Sequence, residues 1–404
     1  MNLIPFSAQY LDLEEPLPFG LRDASGRLLL AAGQTVPSAG RLEELQRQPL
    51  YAVESEAAAW HRRLKAAMDV AVRQGSSLKA VVAARPEAAA TPREAASAAL
   101  LLSWPEQWEE LVSQLDVALR DVTAGGEWRV RLFAVHSRAR QLFQRRPDAS
   151  LYCLVSESIA SPQRYSCRHA LLVLVISEHA GAILGWPVSW IDALGRAALT
   201  MNVGILRLQD QLACSQLRPT PAMRVELAAH PQTSAAMLDA GGLGDPLCLD
   251  IVRRHHQPAD TTVPLAQQEP EHQLGELLRR VDIYTAKISR RAWREPMSPV
   301  QAAREACLVA DGRPDEIGGA LLKAVGLYPP GCFVELAGGE VAAVLARGRT
   351  ANQPSVATLV AASGLPLGEP ALRDTSDRRY AVKGLIAANA VRVRPSHQKL
   401  LAMR

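Results

Sequence analysis

Apolar residues recur at helical spacing through the middle of the chain and switch to alternation toward both ends. From 150 to 325 the helical pattern is almost continuous. It is interrupted at Gly185-Trp186-Pro187, Arg218-Pro219-Thr220-Pro221, His230-Pro231, Gly241-Gly242 and Asp245-Pro246. Thr220-Pro221 and Asp245-Pro246 each set a capping side chain ahead of a proline in the first turn, and Ser189 with Asp192 reads as a weak capping box. A multi-helix domain is expected over 150–326.

The flanks differ. In DASGRLLLAAGQTVPSAGRLEELQ, Ser25-Gly26 marks a turn between short apolar runs, and Ser38 can cap a helix starting near Arg41. Residues 1–60 are therefore expected to form a small β-rich module ending in a short helix. From 61 to 149 the chain turns Ala-rich, with a loop-like RPEAAATPREAA at 85–96 and then helical periodicity through Trp104, Trp108, Leu111 and Leu115. That stretch reads as a helical connector with a flexible segment. After Gly326-Leu327-Tyr328-Pro329-Pro330-Gly331 come the short alternating runs CFVEL, GEVAAVLARG, SVATLVA, RYAVKGLI and VRVRP, which predict a small antiparallel β module over 327–404. The fold class is mainly α, with small β-rich modules at the N- and C-terminal ends.

Composition narrows the function classes. With 404 residues, 48% hydrophobic and 21% charged, the chain can bury a large core and divide into domains. Its +4 net charge is spread without a basic block and only 5% of residues are aromatic, so no nucleic-acid interface is expected. Trp104, Trp108, Trp186 and Trp190 read as helix-packing residues. The N-terminus lacks a basic and apolar leader, and the most apolar run, 170–184, contains Glu178 and His179. Six cysteines lie far apart without metal-ribbon spacing. A cytoplasmic protein without a membrane span, with thiols reduced, is expected.

The candidate chemistry centres on IVRRHHQPAD at 251–260. Adjacent helical residues point about 100° apart, so His255 and His256 serve one centre only at a helix edge, with other ligands from elsewhere. His169, His230 and Asp282 are the candidates. Four imidazoles and one carboxylate suit a divalent ion such as Fe, Mn or Zn if the bundle brings them together. Taken alone, each histidine reads more readily as a packed or capped side chain than as a ligand.

The order of YSCRHALLVLV, AALTMNVGILRLQDQL, ELAAHPQTSAAML, IVRRHHQPAD and VDIYTAKISRRAWREPMSPVQA resembles the HD-GYP family. This is a branch of the HD-domain metal phosphohydrolases that hydrolyse cyclic di-GMP. The resemblance runs from about 150 to 325 and implies an HD-type helical bundle. It makes His169 the first metal-ligand histidine, His230 the histidine before proline, His255-His256 the double histidine and Asp282 the late aspartate ligand. Arg291 and Arg294 match basic residues near the substrate pocket, as candidates for phosphate.

The centre of the pattern departs from the family. Where active members carry His-Asp in an HDxGK-like segment, this chain has Met201-Asn202-Val203-Gly204-Ile205. A thioether replaces an imidazole, a neutral amide replaces the bridging carboxylate, and Ile205 replaces the lysine that would meet a phosphate. The namesake loop becomes HHQPADTTVPL, with Gln257 for the acid, Thr261 for the first glycine and Val263-Pro264-Leu265 for Gly-Tyr-Pro. Tyr165 stands where members with a third metal have a glutamate. The resemblance thus implies a catalytically degenerate signalling or scaffold protein, sensing cyclic di-GMP or binding pathway proteins such as a diguanylate cyclase. The alternative is a metal-dependent phosphodiesterase with a reduced site, in which His230, His255 and His256 hold one ion.

Overall fold

The computed structural model describes residues 3–68 discontinuously, and 102–403 except 124–126, 259–262, 310–311 and 394. The Ser25-Gly26 turn, the 85–96 segment and Thr261 lie outside the described residues. The chain divides into two compact units, 1–101 and 102–404.

In the first unit, strands β1 (Leu3–Phe6), β2 (Leu21–Arg22), β3 (Leu28–Leu30) and β4 (Leu50–Val53) form an antiparallel sheet in the order β1-β4-β2-β3. Helix α1 (Ala39–Gln46) starts where Ser38 accepts the Arg41 N–H, as its sequence predicts. Phe6, Tyr10, Phe19 and Trp60 meet at ring separations of 5.3–6.1 Å and anchor this small core.

The second unit opens with α2 (Trp104–Arg120), α3 (Trp128–Arg145) and α4 (Pro147–Ala160). Helix α2 begins with a capping box between Ser103 and Glu106 and buries Trp104, Trp108, Leu111 and Leu115. These helices share one continuous core with those beyond 150, so the helical part of the predicted connector is built into the bundle. Next come α5 (Tyr165–Ile183), α6 (Val188–Thr200), α7 (Leu206–Cys214), α8 (Pro221–Ala240), α9 (Pro246–Arg254), α10 (Pro270–Ile288), α11 (Pro299–Cys307) and α12 (Glu316–Val325).

Thr220 and Asp245 cap α8 and α9 as their sequences predict. The Ser189–Asp192 box does not form: α6 starts two residues earlier, at Val188 behind Pro187, and Asp192 pairs with Arg140 at 2.5 Å instead. An ion pair across helices wins over a local cap. Helix α5 is almost wholly buried along Tyr165–Ile176, which makes it the central rod of the bundle. Arg164 precedes it with φ of 50°, and its side chain is tied to Glu109 and Ser113. Asp210 accepts the Ser166 N–H at 2.8 Å, so the start of α5 is capped from α7.

The chain closes with β5 (Phe333–Leu336), β6 (Val341–Ala346), β7 (Ser355–Val360), β8 (Pro366–Asp374) and β9 (Val382–Ile386), an antiparallel sheet ordered β8-β7-β6-β5-β9. Ala343 and Leu345 of β6 enter the helical core, while Ala342 and Val344 pack into a second cluster on the opposite face. One sequence expectation needs correction, and one strand is not anticipated by the sequence pattern. VRVRP contains no strand among its described residues, whereas PLGEPALRD forms the edge strand β8. Its largely exposed position needs no apolar alternation, so the periodicity that marks the other strands is missing. A last helix, α13 (His397–Ala402), returns to α4, where the Tyr152 hydroxyl and His397 Nδ1 share a hydrogen bond of 2.9 Å. The architecture is mainly α with small antiparallel sheets toward both ends. Among the described residues no helix is long and apolar enough to cross a membrane.

Candidate metal centre

His230 lies in α8, immediately before Pro231. A proline within a helix has no N–H to offer the carbonyl four residues back, which here is Leu227. That carbonyl accepts the His230 Nδ1–H at 2.6 Å. His255 ends α9, where the last carbonyls lack helical partners, and its Nδ1–H donates to Val252 O at 2.7 Å. Two helix irregularities therefore fix two imidazoles in one tautomer.

A carbonyl only accepts, so both Nδ1 atoms carry the proton and both Nε2 atoms are bare in the neutral rings. Those bare nitrogens face each other at 3.0 Å. Burial, with the nearby His256 charge, pushes the His255 pKa down to about 3, and burial likewise lowers that of His230. Two lone pairs in this arrangement call for a shared proton or a cation. Two metal–nitrogen bonds at a tetrahedral angle would put the nitrogens about 3.3 Å apart. His256 follows on the exposed side, its ring 4.3 Å from that of His255 and 4.9 Å from that of His230. One potential ligand atom from each of the three lies within 4.8 Å of the others.

His169 and Asp282 meet separately. From α5, His169 donates its Nε2–H to Asp282 Oδ1 on α10 at 2.7 Å. Burial alone would raise the Asp282 pKa. The His169 hydrogen bond and charge, followed by the charges of His255 and His256, instead hold the carboxyl below its usual range. The dyad and the triad are thus electrostatic neighbours. His169 Nδ1 is buried and has no hydrogen-bond partner among the described residues.

The remaining candidates also have defined places. Met201, Asn202 and Ile205 are buried in the turn after α6. Gly204 brings that turn against α8, its N–H donating to Ser234 Oγ at 3.1 Å, and an added Cβ there would come within 3.1 Å of the Ser234 backbone nitrogen. Gln257 is exposed and bonds back to Arg254 O. Pro264 leads into a short 3-10 turn, Leu265–Gln267. Arg291 and Arg294 follow α10 as a backbone-paired turn. Arg291 Nη2 donates to the Tyr165 phenol oxygen Oη at 2.9 Å, and Arg294 Nη2 donates to the backbone carbonyl of Ala286 at 2.8 Å.

No family model matches the sequence. Over 215 residues the chain is 26% identical to a cyclic di-GMP phosphodiesterase of Pseudomonas aeruginosa, covering 52% of this chain and 51% of that protein. The chain spans about half the length of this curated relative. Among solved structures, Bd1817, an HDG"Y"P protein from Bdellovibrio bacteriovorus, aligns with a TM-score of 0.45 and 13% identity, over 80% of this chain and 99% of that one.

For the HD-GYP reading, the four helices α5, α8, α9 and α10 bring all five predicted ligand residues into one neighbourhood, grouped as three histidines and a His–Asp pair. Sequence reasoning missed the parts played by Leu227, Val252 and Tyr165. The His-Pro step within a helical pattern was the available sign of a freed carbonyl, because its position i−4 is fixed by helix geometry. Nothing in the local sequence marks the contact of Tyr165 with Arg291, 126 residues away.

Proposed function

We propose that the chain is a catalytically degenerate HD-GYP-type signalling module that senses cyclic di-GMP and relays its presence to protein partners of that pathway, such as a diguanylate cyclase. The observation that carries this reading is the make-up of the metal-ligand cluster. Among the described residues it holds three imidazoles and no carboxylate, while Asp282 is engaged by His169. Three neutral nitrogens fit one divalent ion such as Fe, Mn or Zn but do not bridge two. Met201 and Asn202 stand where the family has its imidazole and bridging carboxylate, which removes the anionic ligand a paired-metal hydrolytic centre uses.

The residues fit a single ion through His230, His255 and His256, with the two Nδ1–H donations keeping ring orientation and basicity. Such an ion would supply Lewis acidity and an activated water. The bare Nε2 pair also favours a second reading, a phosphodiesterase working with one metal and an open fourth position.

Measuring metal per chain, cyclic di-GMP affinity and linear dinucleotide formation with iron or manganese added separates the two. The sensor reading expects at most one ion per chain, lowered in His256→Ala, together with binding of cyclic di-GMP and no linear product. Turnover that disappears in His256→Ala would establish the phosphodiesterase instead. Pull-downs with residues 1–60 and 327–404 removed in turn locate the partner surface.

A further inference from the structure

We propose that Tyr165 is a ligand-contacting residue of an oxyanion pocket formed with Arg291 and Arg294, its phenol O–H donating to a phosphodiester oxygen. The cyclic di-GMP reading above supplies the identity of the physiological ligand. The pocket itself is argued from its unspent donors.

Tyr165 is only 4% exposed. Its oxygen accepts from Arg291 Nη2, and the guanidinium carbon sits 4.9 Å from the ring centroid. A phenol also has one proton to donate, and that proton has no acceptor among the described residues. Asp282, the carboxylate whose charge acts on Tyr165, accepts from His169. A buried donor left without an acceptor is costly, and an oxyanion beside Arg291 would satisfy it.

The two arginines show the same deficit. Arg291 N–H donates to Arg294 O and Arg294 N–H to Arg291 O, at 3.3 and 3.1 Å, so the two side chains leave one tight turn. The Nε atoms of both are buried without hydrogen-bond partners. Neither guanidinium forms an ion pair with a carboxylate among the described residues, although Arg290 next door does so with Glu295. Burial, then the like charge of Arg291, depresses the Arg294 pKa, which an anion would relieve.

The phenol is also held in place. Its ring stacks on His169 at 5.3 Å with an interplanar angle of 11°, and Asp282 fixes that imidazole from the other side. Tyr165 opens the central buried helix, whose start Asp210 caps through Ser166. A donor locked in position loses little freedom when a ligand arrives.

The test is calorimetric titration of the full chain with cyclic di-GMP and, separately, inorganic phosphate, in wild type, Tyr165→Phe, Arg291→Lys and the double variant. Tyr165→Phe keeps the stacked ring and is expected to weaken binding about tenfold, with thermal midpoint and metal content unchanged. The double variant should bind at least as weakly as the weaker single one, with a loss that departs from the sum of the two because phenol and guanidinium share a hydrogen bond and meet the same anion. A purely packing role would leave Kd untouched. Wild-type affinity in Tyr165→Phe beside weakened Arg291→Lys overturns the role of Tyr165 and leaves the sensor reading standing. Binding of phosphate but not cyclic di-GMP keeps the pocket and removes the sensor reading; binding of neither removes both. Should Tyr165→Phe melt early, the tyrosine ultraviolet difference spectrum of wild type on adding phosphate decides, and its absence overturns the proposal.

Discussion

His230 owes its orientation to the residue after it. Pro231 withholds a helical N–H from Leu227 O, and the imidazole takes that acceptor at 2.6 Å. Pro231→Ala restores a competing donor to the same carbonyl. Helix stability should hold or rise, while affinity for added zinc or manganese should fall about tenfold, as for other outer partners of ligating histidines. Metal titration with a chromophoric competitor, alongside a thermal melt, reads both effects. Unchanged metal affinity would mean that the Leu227 carbonyl does not set the tautomer.

At the scale of elements, the docking of the C-terminal sheet onto the helices converges on Arg347. Its Nε donates to Asp148 at 2.7 Å, and its Nη1 reaches Ala324 O at 2.7 Å and His179 Nε2 at 2.9 Å. An imidazole nitrogen that accepts from a guanidinium must be unprotonated. Burial and then Arg347 lower the His179 pKa from 6.5, against the opposing charge of Asp148, while Phe143 packs on the ring. The folded value lies below the unfolded one, so this contribution is complete above about pH 6.5 and is lost as pH falls through the lowered folded value. Urea midpoints should therefore decline between pH 7 and pH 5, with a slope of up to about 1.4 kcal/mol per pH unit from this group. In His179→Gln the decline should be shallower, and an equal slope in both proteins counts against His179. Arg347→Ala should cost about 1–3 kcal/mol, because a partly buried cation and three contacts are lost together.

For the whole molecule, the chain divides into two compact units. Residues 1–101 enclose their own aromatic cluster, and 102–404 carry all five predicted ligand residues on or beside helices that share one continuous core, with His256 at its exposed edge. The fragment 102–404 is expected to unfold cooperatively by itself, with the same metal content and the same cyclic di-GMP affinity as the full chain. Loss of a thermal transition in that fragment would show that the first unit is needed for the bundle to fold. Full retention would show that residues 1–101 are dispensable for metal and ligand binding.

What the sequence by itself determined is local. Helical periodicity, the caps at Ser38, Thr220 and Asp245, and the apolar alternation of four C-terminal strands depend on neighbours a few residues away, and each appears in the fold. The family order of His169, His230, His255, His256 and Asp282 was legible for the same reason, as motifs carried by short segments. Edge strand β8 escaped because exposure relaxes the alternation that marks a strand, and the Ser189 cap failed because Asp192 found Arg140. Only the tertiary structure decided how the ligand residues are grouped. Whether Asp282 joins the histidine triad or pairs with His169 depends on the approach of α5 to α10, across 113 residues of chain. Tyr165 likewise meets Arg291 only once the bundle has closed. Such partnerships are set by packing between helices, which periodicity constrains to a face but not to a partner.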